Sequence, residues 1–141
     1  MIVLDTNVLS ELMKPSPAGS VVRWAAGQPA TSLYTTSITQ AEILHGVMLL
    51  PAGRRRTGIE AAAEAMFNED FEGRILAFGS DAARLYARIA AERRRSGRPI
   101  SHFDAQIAAI ARFAGAAIAT RNVADYENCG AKVIDPWEAG A

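Results

Sequence analysis

The sequence predicts an α/β fold: a three-layer α/β/α sandwich around a mainly parallel central sheet of about five strands. Three observations predict it. Short, continuous apolar runs such as Ile2, Val3 and Leu4 suit strands buried on both faces. Stretches with helical apolar spacing separate these runs, and helices between strands imply right-handed crossovers. The first run ends directly on Asp5, followed by Thr6 and Asn7, both good helix N-caps. In parallel sheets ligands bind outside the carboxyl ends of the strands, where the strand order switches. Asp5 is therefore read two ways, as a ligand-binding acid and as a cap for the next helix.

The remaining elements follow in order. Asn7 to Lys14 reads as a short helix with Val8, Leu9, Leu12 and Met13 on one side, ended by Pro15 and Pro17. Val21 to Ala26 is a second, closed by Gly27 and Pro29. Leu33 to Thr36 is the second strand. Ala41, Leu44, Val47 and Met48 then fall at helical spacing, and Thr39 with Glu42 matches a capping box. Pro51 and Gly53 break the chain, and the alanine-rich stretch from Ile59 to Phe67 favours helix by propensity. Ile75 to Phe78 is the third strand. Ser80 is expected to cap a long helix through Ala83, Tyr86, Ile89 and Ala90, with Gly97 and Pro99 as its stop signals. Ser101 opens another helix, whose stripe of Phe103, Ile107, Ile110, Ala111 and Ala114 stops at Gly115. Ala116 to Thr120 is the fourth strand and Lys132 to Ile134 the fifth.

Bulk properties narrow the function. With 50% hydrophobic and 21% charged residues the chain is globular rather than disordered. Its 141 residues fit one domain. Fifteen basic residues balance fifteen acidic ones, so attraction to nucleic acid must come from local patches. The basic runs Arg54 to Arg56 and Arg93 to Arg98 are such patches, although charge runs are commonly solvated faces and the second also suits a helix C-terminus. Cys129 is the sole cysteine, which excludes a disulfide framework and a cysteine-rich zinc site and fits a cytoplasmic protein. No signal peptide and no membrane span are expected. No phosphate-cradling glycine loop is present, which argues against nucleotide-dependent kinases and dehydrogenases.

The acids carry the chemistry. Asp5 ends a strand, Glu42 and Asp104 are placed in first turns of helices, and Asp125 follows the fourth strand. Helices that follow parallel strands start at one edge of the sheet, so Asp5, Glu42 and Asp125 are expected to be neighbours. The helix of Asp104 follows another helix, and topology does not place it. Asp104 nonetheless lies in line with Ile107, Ala108 and Ala111, and an acid beside an apolar stripe is costly to bury unpaired. Clustered carboxylates repel and stay partly protonated unless cations neutralise them. An oxygen-only donor set suits Mg²⁺ or Mn²⁺, ions that handle phosphates.

At these residues the chain resembles the PIN-domain ribonucleases, and more narrowly the VapC-type toxins of bacterial toxin–antitoxin pairs. The resemblance runs nearly end to end. It rests on V-L-D-T-N-V-L-S-E-L, T-S-I-T-Q-A-E-I-L-H-G, F-D-A-Q-I-A-A-I-A, A-T-R-N-V-A-D-Y and the final V-I-D-P-W, in that order. It implies a PIN-like domain over residues 1–141 and an Mg²⁺-dependent (or Mn²⁺-dependent) endoribonuclease that leaves a 3′-hydroxyl and a 5′-phosphate. Asp5 and Asp104 match the family's principal metal ligands, and Glu42 its third acid. Some relatives carry an acid where this chain has Asn122, and others at the position of Asp125. Thr6 and Ser37 match small hydroxyl positions near the site, on the substrate side with Asn122, and both also suit caps and turns. The resemblance further implies an RNA substrate, a VapB-like antitoxin, a homodimer, and a higher assembly with antitoxin and operator DNA.

Other classes compete. A receiver or haloacid-dehalogenase-like domain would carry paired acids near the start or D-x-D after the first strand, where this chain has D-T-N. A non-catalytic module with an acidic pocket stays open because of Asn122. A PIN nuclease acting in RNA processing or on DNA stays open within the same fold.

Overall fold

Five strands, each only two to four residues long, pair side by side in parallel: β1 (Ile2–Leu4), β2 (Leu33–Thr36), β3 (Ile75–Leu76), β4 (Ala117–Ala119) and β5 (Val133–Ile134). Their order in the sheet is β3-β2-β1-β4-β5. The computed structural model describes all 141 residues. The helices are α1 (Thr6–Leu12), α2 (Gly19–Ala26), α3 (Ser37–Met48), α4 (Arg54–Ala65), α5 (Ser80–Arg95), α6 (His102–Ala114) and α7 (Pro136–Ala139). From central β1 the chain builds outward through β2 to β3, then crosses back to β4 and β5. The strand order therefore reverses at β1, and this is where a parallel sheet opens a crevice at its carboxyl edge. Ile2 pairs with Leu33 on one side and Ala117 on the other, and Leu4 with Ala119, so Asp5 and Thr120 leave the sheet side by side.

Alternation along the strands explains the three layers. Val3 and Ile118 face a core built with Ile89 of α5 and Ile107 and Ile110 of α6. Leu4 and Ala119, one residue on, face a second core with Leu9 of α1, Trp24 of α2, Ile43 of α3 and Phe67. Burial on both faces is why the strands read as unbroken apolar runs. No helix is long and apolar enough to cross a membrane.

Local chemistry shifts several expected boundaries. Helix α3 begins at Ser37, because Thr36 is its N-cap and accepts from the Thr39 amide at 3.1 Å. The capping box expected at Thr39 and Glu42 does not form. Thr39 is buried in the first turn, and Glu42 sits in the second turn rather than the first. Helix α4 starts at Arg54, before the expected Ile59, since arginine is a good helix former and Gly53 supplies the break with φ of 152°. It runs on into a π-turn at Met66–Asp70. Gly79 rather than Ser80 is the N-cap of α5, with no side-chain cap bond, and the Ser80 hydroxyl instead accepts from Arg84. Ser101 caps α6 through the Asp104 amide, and Gly115, at φ of 68°, ends it, both as expected.

The second basic run is not wholly a solvated face. Arg93 is buried among packed groups with 8% exposure. Its guanidinium donates to the carbonyls of Arg98 (2.8 Å), Asp125 (2.7 Å) and Glu127 (3.2 Å). It thus ties the end of α5 to the turn after β4. A guanidinium has five donors and no acceptor, so backbone carbonyls satisfy it well. Arg93→Ala should lower unfolding stability by about 2–4 kcal/mol in denaturant titration, because carbonyls lose their partner. Arg94→Ala, at an exposed position, should change it by less than about 0.5 kcal/mol.

Candidate functional site

Asp5 anchors the site at the carboxyl end of β1. Its amide donates to the Ala119 carbonyl at 2.9 Å, continuing the ladder with β4. Its side chain is 3% exposed. Oδ1 accepts from the Thr6 amide at 2.9 Å, which makes Asp5 the N-cap of α1. Oδ2 accepts from the Thr120 hydroxyl at 2.8 Å and the Asn7 side-chain amide at 3.1 Å. The cap and site readings of Asp5 are therefore compatible, since each carboxylate oxygen has more than one lone pair.

Thr120 is itself saturated. Its hydroxyl donates to Asp5 and accepts from Asn7 Nδ2 and the Asn122 amide, each at 3.1 Å. The Asn7 carbonyl oxygen accepts from the Arg121 amide, locking the side chain's orientation. Glu42 enters from α3. Thr6 Oγ1 lies 2.9 Å from Glu42 Oε1 and 3.1 Å from Thr39 Oγ1. A hydroxyl has one hydrogen, so Thr6 donates to the carboxylate and Thr39 donates to Thr6. Asp104 enters from the first turn of α6, and its Oδ1 accepts from the Tyr126 hydroxyl at 3.1 Å.

Electrostatics bind the three acids together. Burial pushes the Asp5 carboxyl above its ordinary value, and the charge of Asp104 adds to this against the bonds from Thr120 and Thr6. Burial likewise raises Glu42, opposed by the bond from Thr6, and the charges of Asp5 and Asp104 add to the rise. Asp5, Glu42 and Asp104 thus form one electrostatic unit, although topology alone did not place Asp104. Asp125 is not drawn in. It is exposed on a 3₁₀ turn (Val123–Tyr126), and its side chain makes no hydrogen bond or ion pair with the other acids. Asn122 is exposed at the start of that turn and meets the network through its backbone amide. Ser37 is the partly exposed first residue of α3.

The sequence offers Asn7 and Thr39 only as helix caps and does not mark Thr120 or Tyr126 as members of the site. The signal for Thr120 was available: it follows the fourth apolar run as Asp5 follows the first. Tyr126 gave none, because an aromatic residue near a strand reads as core.

The donor chemistry fits a hard cation. The groups left free to meet a ligand are carboxylate oxygens, since Asp104 Oδ2 and Glu42 Oε2 accept nothing from the protein. No three Asp, Glu, His or Cys side chains are drawn into a closed chelate. Two clefts, each about 270 Å³, flank Glu42, one between α1 and α3 beside Thr6 and Met13, the other beside His45 and Phe103.

A parallel α/β sheet with mutually repelling acids at the switch in its strand order defines a protein with an acidic pocket, and the chain belongs to the PIN-domain family. The family's pattern matches residues 2–126. The chain is 42% identical over 138 residues to the VapC ribonuclease Y4jK of Sinorhizobium fredii, covering 98% of this chain and 99% of that protein. The crystal structure of FitAcB from Neisseria gonorrhoeae superposes with a TM-score of 0.91 at 35% identity, over 97% of this chain and 99% of that one. The structure of FitAB bound to an IR36 DNA fragment gives the same score and identity over 97% and 96%. Metal dependence is general among PIN nucleases, and the donor set here is in keeping with it.

The raised proton affinities set a pH dependence. Where an acid holds its proton more tightly folded than unfolded, its contribution to stability is full below the unfolded value and is lost as pH rises through the folded one. Glu42→Gln keeps the acceptor for Thr6 and removes the charge. Thermal melts without added metal should show the variant more stable than wild type at pH 8, the gap closing below the ordinary glutamate value of 4.5.

Proposed function

We propose that the protein is a metal-dependent endoribonuclease, the toxin of a toxin–antitoxin pair, formed by residues 1–141 as one PIN nuclease domain. The observation that carries the reading is the meeting of Asp5, Glu42 and Asp104 at the carboxyl edge of the sheet, where Thr6 joins the first two and the charge of Asp104 acts on both. Such repulsion is costly in an empty pocket and is relieved by a cation. Mg²⁺ suits the arrangement best, with Mn²⁺ as a substitute. Mg²⁺ is usually held by one or two carboxylates with retained waters and substrate phosphates rather than by a closed protein cage.

Asp5 and Asp104 would hold the ion. When bound, it would supply charge against the scissile phosphate and make a water more acidic. Asp5 is fixed by its three donors, so it presents the same lone pairs throughout. Glu42, oriented by Thr6 and raised in proton affinity, takes a proton from the attacking water. The water oxygen bonds to phosphorus as the bond from phosphorus to the ribose 3′-oxygen breaks, and that oxygen takes a proton from solvent, giving a 3′-hydroxyl and a 5′-phosphate. Thr6 takes part by orienting Glu42, and Ser37 and Asn122 meet the RNA backbone.

The partners follow from the relatives. FitAB is solved bound to a DNA fragment, and VapBC of Salmonella typhimurium is also solved bound to DNA, 26% identical with a TM-score of 0.77. We assign this chain a VapB-like antitoxin, a homodimeric core, operator DNA in the higher assembly, and the cytoplasm as its compartment.

The test is cleavage of an end-labelled cellular RNA pool by the antitoxin-free protein. Cleavage should require Mg²⁺, stop with chelator, and fall by about a hundredfold or more in Asp5→Asn and Asp104→Asn. Unchanged cutting by folded Asp5→Asn would overturn the site. A folded, Mg²⁺-binding wild type that cuts no RNA in the pool would instead favour a binding role for the pocket.

A further inference from the structure

We propose that Tyr126 is a positioning residue for the acidic site, its hydroxyl donating to Asp104 so that this carboxylate keeps a fixed orientation beside Asp5. The inference rests on the reading of these two acids as the pair that holds the cation.

The geometry is unusual for a core aromatic. The ring is 0% exposed and belongs to the core beneath α5 and α6. Its hydroxyl nevertheless emerges at the site, donating to Asp104 Oδ1 at 3.1 Å. A phenylalanine would fill the same ring volume, so packing leaves the hydroxyl unexplained. A buried phenol needs a partner, and here the partner is the Asp104 carboxylate. A donor fixed on Oδ1 opposes rotation of Asp104, which is partly exposed, and leaves Oδ2 to face a ligand.

The anchor beneath is rigid as well. Tyr126 ends the 3₁₀ turn after β4. The carbonyls on either side of it, those of Asp125 and Glu127, are both held by the buried Arg93 of α5. A set of hydrogen bonds runs from Arg93 of α5 to the turn that carries Tyr126 and from Tyr126 to Asp104 on α6. Three segments are thereby set against one another beside the site. Residues that orient ligating carboxylates through hydrogen bonds tune the metal's affinity without touching it.

The experiment is calorimetric titration of the full chain with Mn²⁺ and with Mg²⁺, in wild type, Tyr126→Phe and Ile110→Val. Ile110 lies in the same core and has no polar side-chain atom, so its variant controls for loosened packing. Tyr126→Phe should bind the ions about 10- to 100-fold more weakly, while its melting temperature falls no further than that of Ile110→Val. Ile110→Val should bind as wild type does. Wild-type affinity in Tyr126→Phe overturns the proposal, and so does an equal loss in Ile110→Val, which would make the effect one of general packing. Failure of wild type itself to bind either ion would overturn the metal-site reading together with it, whereas the first two outcomes leave that reading standing.

Discussion

A carboxylate that is 3% exposed is tolerable only if its surroundings replace the water it has lost. Asp5 meets that demand with donors from three residues: the Thr6 amide, the Asn7 side chain and the Thr120 hydroxyl. Each depends on the strand pairing. Thr6 and Asn7 are near because the chain turns into α1 at once. Thr120 is near because Leu4 pairs with Ala119. A one-residue slip of β4 would turn Thr120 to the opposite face, leave Asp5 short of a donor and exchange the two cores. The same register therefore packs the sheet and solvates the acid.

From Asp5 the remaining geometry follows outward. Thr6, placed by the helix that Asp5 caps, orients Glu42, while Thr39 supplies the hydrogen that lets Thr6 spend its own on the carboxylate. Asp104 comes from the opposite layer, on α6. The pocket is thus assembled from both helical layers over the end of one sheet, and neither layer builds it alone. The residual repulsion among the three acids is what a packed interior leaves undischarged, and it marks where the fold gives up stability for chemistry.

Much of this was legible in the chain, for identifiable reasons. Strands buried on both faces leave unbroken apolar runs, so all five were placed to within about two residues. Asp5 stood out because it ends such a run, and Asp104 because it borders an apolar stripe. The misplacements have physical causes too. Thr39 and Glu42 have the spacing of a capping box, but Thr36 ends β2 and reaches the same amide three residues earlier. Asp125 shares a sheet edge with Asp5 by topology, yet the turn that carries it leaves its side chain exposed while burying its neighbour Tyr126. Arg93 is indistinguishable in sequence from the arginines beside it. Only the helical phase of α5 and the path of a distant turn decide which of them goes inside. Tyr126 hides for the converse reason, since its ring obeys the core pattern and its hydroxyl does not.

That turn carries one more buried group. Cys129 lies three residues beyond Tyr126, 0% exposed and in the same core cluster. It is the chain's single thiol. A thiol-alkylating reagent can reach it only when the segment after β4 lifts from α5 and α6, so its rate of modification measures how often that segment opens. The molecule therefore carries its own clock for local unfolding, placed where opening would also withdraw the Tyr126 hydroxyl from the acids.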